Sequence, residues 1–235
     1  MMSAAVASAL RWVAGRIRPR LREKLLITAA LTVFFTTFWH LIPRYLLFPP
    51  RAFALTPLER SLPFVEGWVY VYLSICLLNV AAPYLTVSRA LLVRHAWGFF
   101  AITAASFACF ALYPVEMLAP TEAPATLLYA LILADTRLNN FPSLHASYTV
   151  YGLLYWEHVL PAIPSRLARR VIAIVVMAWA AALLLSVLLL KQHYLADLAG
   201  GAALGGVAYW LCFARRAPRR EATAIPITPR METKP

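Results

Sequence analysis

Six mostly apolar stretches, each bounded by charge or proline, run through the chain at residues 25–42, 67–86, 95–113, 143–160, 171–190 and 194–213. Each is close to the ~20 residues that a helix needs to cross the hydrocarbon core of a bilayer. A helix also pairs its own backbone groups where no water can. The sequence therefore predicts an all-α fold, a polytopic membrane helical bundle with six transmembrane helices. Composition points to the same class, with 62% of residues hydrophobic and 14% charged, outside the balance of a soluble domain. A further apolar stretch at residues 125–134 is too short to cross and is expected to be interfacial or re-entrant. The expected organisation is a basic cytoplasmic segment at 1–24, a membrane domain at 25–213 and a basic, disordered tail at 214–235.

Lysine and arginine set the expected orientation, because basic loops stay cytoplasmic. Arg11, Arg16, Arg18, Arg20, Arg22 and Lys24 precede the first stretch, and Arg215, Arg216, Arg219, Arg220, Arg230 and Lys234 follow the last. Arg89 with Arg94, and Arg166 with Arg169 and Arg170, fall on the same side in an even count of spans. Both termini are then cytoplasmic, and the segments 43–66 and 114–142 and the turn at Lys191 and Gln192 face the other side. The net charge of +12 flanks spans instead of gathering with aromatics on one surface, so anionic lipid headgroups are the expected partner and nucleic acid is not. The long first apolar run has no small-residue cleavage site after it and is expected to be a retained span, not a cleaved signal. Cys76, Cys109 and Cys212 lie inside spans without metal-type spacing and are expected to be packing residues.

Two motifs on the non-cytoplasmic side carry the chemistry. Asn140-Phe141-Pro142-Ser143-Leu144-His145 opens one apolar helix and Gln192-His193-Tyr194-Leu195-Ala196-Asp197 opens another. His193 and Asp197 are four apart, on one helical face, where a carboxylate can accept the imidazole N–H and fix its tautomer. A carboxylate a turn inside an apolar helix is costly unless it has a partner or a function. His145 follows a Pro-Ser helix start, whose unpaired N–H groups and dipole attract an anion. These parts suit in-line phosphoryl transfer, with His193 as nucleophile, Asp197 orienting it and His145 as the acid for the leaving group. Expected phosphate donors are Lys191, Arg137, the Ser143 hydroxyl and the amides around Ser143, Leu144 and His145.

Plainer readings stand beside these. Lys191 and Arg137 equally suit snorkelling boundary charges, Ser143 suits a simple N-cap, and Asn139 and Asn140 either cap the helix start or touch substrate. His40, His95 and His158 are expected to be polar residues at the water boundary. Zinc is disfavoured because the histidines come from separate helices without a paired-His motif, so no metal and no cofactor are expected. Gly200, Gly201, Gly205 and Gly206 fall at small-residue spacing down the last span and predict close helix packing.

Phe141-Pro142-Ser143-Leu144-His145-Ala146-Ser147 resembles the second signature of the type 2 phosphatidic acid phosphatase superfamily, and Ser186 with His193 and Asp197 resembles its third. The Pro-Ser-Leu-His and Gln-His-Tyr-x-x-Asp-x-x-x-Gly forms are more narrowly similar to the branch containing inositol phosphorylceramide and sphingomyelin synthases and their bacterial relatives. An acid followed by Pro-Phe and a tyrosine-containing span, here Glu59, Pro63, Phe64 and Tyr70, is similar to that branch too. The resemblance implies a six-span helical core, and the expected location is a bacterial inner membrane with the site facing the periplasm or exterior. It also implies a phosphohistidine on His193, Asp197 as its orienting partner, His145 as the acid and no required metal. Two departures are visible. Ala119 precedes Pro120 where the first signature has arginine, with no lysine nearby, and Val187 replaces the arginine after the third signature's serine. Lys191 and Arg137 are the nearest replacements, with Arg60 and Arg44 more distant.

The expected function is an integral-membrane lipid phosphatase acting on a phospholipid phosphate or a polyprenyl phosphate or pyrophosphate. Hydrolysis is favoured because water competes at any open mouth. The alternatives are a lipid headgroup phosphotransferase, with a lipid alcohol as acceptor, and a non-catalytic lipid-binding or transport protein.

Overall fold

A computed structural model describes residues 4–117, 125–134 and 137–214. The expected tail lies, from residue 215 onward, outside the described residues, as do Ala119 and Pro120. The helices are α1 (Ala4–Ile17), α2 (Leu21–Leu41), α3 (Pro57–Ser61), α4 (Val69–Leu73), α5 (Ile75–Leu85), α6 (Arg89–Leu112), α7 (Leu127–Ala134), α8 (Leu144–Tyr155), α9 (Arg166–Leu189) and α10 (Leu195–Tyr209). Extended pairing among the described residues is limited to isolated bridges joining Arg51 to Val115 and Val115 to Asn139. The protein is all-α.

Among the described residues, five segments are long and apolar enough to cross a membrane: Leu21–Arg44, Glu66–Leu85, Arg89–Leu112, Arg166–Leu189 and Leu195–Phe213. The remaining expected stretch, residues 143–160, is not among them. There α8 runs for 12 residues, about 18 Å at 1.5 Å per residue, and gives way to 3-10 turns at Trp156–His158 and Leu160–Ala162. Pro161 cannot extend an α-helical ladder. Because α8 is enclosed by α5, α6, α9 and α10, neighbouring protein and not lipid meets most of its surface.

The second span is interrupted at Ser74, whose hydroxyl donates to the Val71 carbonyl at 2.6 Å and accepts the Trp179 indole N–H at 2.8 Å. Such back-bonding competes with the helical ladder and bends it. Further along, Ser88 and Ser165 cap α6 and α9 by accepting the N–H groups of Leu91 and Ala168. The arginines expected in cytoplasmic loops therefore lie in the first two helical turns, because a serine cap followed by good helix formers starts the helix before its apolar part.

Lys24 is more than a loop charge. It is 1% exposed, and its ammonium donates to the carbonyls of Arg16 at 2.8 Å, Ile17 at 3.3 Å and Tyr84 at 2.7 Å. One cation thus closes the carbonyl ends of α1 and α5, while Arg16 and Trp12 tie α1 to Leu85 and Ala162. Lys24→Met should lower stability by about 1–3 kcal/mol, since it strands these acceptors. The check is the unfolding temperature in detergent, with exposed Arg22→Met as the unchanged control.

The centre of the bundle is aromatic but polar at its tips. Tyr148 stacks on Phe99 at 4.1 Å, and the hydroxyls of Tyr148, Tyr151 and Tyr155 meet Thr103, the His95 carbonyl and Thr86 at 2.7, 2.9 and 3.0 Å. Each tyrosine brings a large apolar body into the core with its polar tip paired. Against this core α8 lies close along α10. A Cβ on Gly201 would overlap the Ser143 carbonyl, and one on Gly205 the Ser147 carbonyl. Both residue numbers rise by four along the contact, so α8 and α10 are parallel and their N-termini share one end.

Candidate active site

The shared end is held by backbone. Ser143 caps α8 by accepting the Ala146 N–H at 3.3 Å, and its own N–H donates to the Asp197 carbonyl at 3.0 Å. His145 and His193 are thereby brought together from separate helices, their ring centroids 6.1 Å apart. His193 Nδ1 lies 3.4 Å from Asp197 Oδ2, with both side chains buried. The same Oδ2 accepts the Tyr194 N–H at 2.9 Å, so Asp197 caps α10 and faces the imidazole at once. Since Nδ1 is turned to the carboxylate, Nε2 occupies the opposite edge of the ring. The arrangement sets two imidazoles across a short gap, one of them beside a buried carboxylate.

The other expected site residues are mostly engaged with backbone. Lys191 adopts the left-handed conformation with φ 53°, and its ammonium donates to the Glu59 and Leu62 carbonyls at 3.0 and 2.7 Å. It clamps the turn before His193 onto α3. Asn140 donates its amide to the carbonyls of Val115 and Arg137, and Asn139 donates to that of Trp39 at 3.1 Å. These asparagines brace the segment leading into α8. Arg137 belongs to that segment, and its carbonyl also accepts the Met117 N–H at 3.2 Å. Leu144 is buried in the main apolar core, and the Ser186 hydroxyl folds back onto the Leu183 carbonyl at 2.7 Å.

The remaining histidines divide. His40 is exposed, as expected of a boundary residue. His95 is not: it is 5% exposed and sits against the rings of Tyr155 and Tyr151 at 4.3 and 5.1 Å. His158 Nε2 meets the Tyr209 hydroxyl at 3.2 Å. Of the four glycines, Gly201 and Gly205 touch α8 and Gly200 meets the Phe141 ring, whereas Gly206 faces open space.

Two further residues belong to the mouth. Glu59 is buried, and its carboxylate accepts the Leu195 N–H at the start of α10 and the Thr56 N–H, each at 2.6 Å. Burial alone would raise its pKa, but hydrogen bonds from Thr56 and Leu195 and the nearby Lys191 charge hold it below the ordinary carboxylate value. The Thr56-x-x-Glu59 capping box was legible in the sequence; the contact with α10 was not. Tyr72 stacks on His145 with centroids 4.0 Å apart and planes 25° from parallel. The tyrosine singled out by sequence pattern, Tyr70, is 64% exposed; two residues along a helix turn a side chain to another face, and so short a helix carries no periodicity to choose between them.

Among the described residues no three His, Cys, Asp or Glu side chains are grouped to hold a metal ion.

The fold and the mouth define a membrane-type helical bundle with two histidines and a carboxylate at adjoining helix starts. Residues 121–221 match the family model of the PAP2 superfamily. Comparison with curated proteins and with solved structures gives no match.

Proposed function

We propose that the protein is an integral-membrane lipid phosphatase working through a phosphohistidine. The observation that carries this reading is the pairing of a carboxylate-backed His193 with His145 across a 6.1 Å gap. The match of residues 121–221 to the PAP2 superfamily, whose enzymes are typically metal-independent phosphatases, supports the same reaction class. His193 Nε2 attacks phosphorus in line, and the bond from phosphorus to the lipid oxygen breaks. His145 gives that oxygen its proton, so the lipid leaves as an alcohol. Asp197 holds the His193 ring and balances its positive charge. A water then attacks the phosphohistidine, His145 takes the water's proton, and inorganic phosphate departs as His193 Nε2 regains its lone pair.

The proposed topology has six crossings, with α8 completing the count as an enclosed short span. The parallel run of α8 and α10, with α9 returning between them, supports an even count. Arginines at the starts of α6 and α9 support cytoplasmic termini and an outward-facing mouth.

Headgroup transfer to a lipid alcohol is the second reading. It is favoured by the lacing of the Glu59-to-Phe64 segment to the His193 turn through Lys191 and the Leu195 N–H, because that segment carries the likeness to the synthase branch. The deciding experiment offers the purified protein, in chelator, phosphatidate, a polyprenyl pyrophosphate, and an intact phospholipid with diacylglycerol or ceramide. Free phosphate supports the phosphatase. Transfer without free phosphate establishes the second reading, and inactivity on all three favours lipid binding or transport.

Asp197→Asn keeps an oxygen for the Tyr194 N–H but removes the charge behind His193. Turnover should fall by about 10²-fold or more with little change in unfolding temperature, measured side by side.

A further inference from the structure

We infer that Tyr72 is the positioning residue for the His145 imidazole. The inference rests on the proposed role of His145 as the acid. The two histidines of the mouth are oriented by different means. His193 has a carboxylate at 3.4 Å, whereas the described residues give the His145 ring nitrogens no hydrogen-bond partner. Its ring is instead held flat against Tyr72, at 4.0 Å and 25°.

That difference suits the chemistry. An acid releases its proton to the leaving oxygen and later accepts one from water through the same ring nitrogen, so the edge carrying that nitrogen has to stay open. An aromatic face fixes the plane of an imidazole without occupying either nitrogen.

Tyr72 is itself firmly located. It lies two residues before the break at Ser74, which is pinned to the Val71 carbonyl and to Trp179. On the other side Val69 is fully buried in a cluster that includes Tyr129, Leu190, Phe64 and Trp68. The interruption of the second span thus presents one aromatic face to the mouth.

The test compares wild type, His145→Ala, Tyr72→Phe, Tyr72→Leu and Tyr72→Met on a short-chain phosphatidate, whose alkoxide leaves poorly, and on 4-nitrophenyl phosphate, whose phenolate needs little protonation. Tyr72→Phe keeps the ring and should stay within about twofold of wild type on both. Tyr72→Leu and Tyr72→Met should lose about 10-fold or more on phosphatidate while keeping most activity on the aryl phosphate, in the pattern of His145→Ala. Equal losses on both substrates in the Leu and Met variants would overturn the inference by reducing Tyr72 to a packing residue, and so would full activity in both. If His145→Ala itself loses both substrates equally, the assignment of the acid fails, and the positioning role falls with it.

Discussion

His193→Ala should leave no measurable turnover, a loss of more than about 10⁴-fold, and no covalent phosphate on the protein. The expectation follows from the geometry. His193 combines a buried carboxylate at 3.4 Å behind Nδ1 with an opposite edge facing away from that partner. His145 has no such carboxylate partner among the described residues, and its ring stacks on Tyr72. The Ser143 hydroxyl is occupied as the cap of α8. The measurement is rapid quench with radiolabelled lipid phosphate, followed by separation under alkaline conditions, where a phosphohistidine survives. Wild type should carry label that His193→Ala lacks. Label that persists in the variant would move the nucleophile elsewhere.

Gly201→Leu should separate the two histidines without touching either. A Cβ there would overlap the Ser143 carbonyl and lie 2.9 Å from the Ala146 Cβ. The first obstacle is backbone, so no rotamer change relieves it, and α8 has to move away from α10. That movement pulls the Ser143 N–H from the Asp197 carbonyl and widens the gap between His145 and His193. Overpacking against side chains costs about 1–3 kcal/mol; a clash with a helix start falls at or beyond the top of that range. Gly206→Leu is the control, since nothing lies within 4 Å of its position, and its stability should stay within about 0.5 kcal/mol of wild type. Unfolding temperature and turnover in detergent, measured on both variants, check the pair. Equal behaviour would remove the argument that the contact of α8 with α10 builds the mouth.

The candidate site was legible where sequence distance is short. Asp197 follows His193 by four residues, and that spacing marked the pair. His193 lies two residues before α10 begins at Leu195, however, so the cap that Asp197 forms on the Tyr194 N–H, and not a shared helical face, sets its carboxylate 3.4 Å from Nδ1. Ser143 follows a proline at the start of an apolar run, and it caps α8. Lys191 illustrates the opposite case. Its place next to His193 suggested a phosphate donor, yet its left-handed backbone conformation sends its ammonium to the carbonyls of α3. Glu59 and Tyr72 reach the mouth from segments more than seventy residues before His145 or His193, and no local pattern records such a meeting.

The fold divides in the same way. Apolar length by itself determined an all-α bundle of the membrane class, because helices alone satisfy their backbone within each such segment. The glycine spacing on α10 determined that some helix would approach closely. Tertiary structure decided which one, and it decided that α8 stops short of the other candidate spans, since a helix wrapped by protein is released from the bilayer's length requirement. It also decided the pairing of the two histidines, because hydropathy specifies which residues avoid water but not which helix faces which.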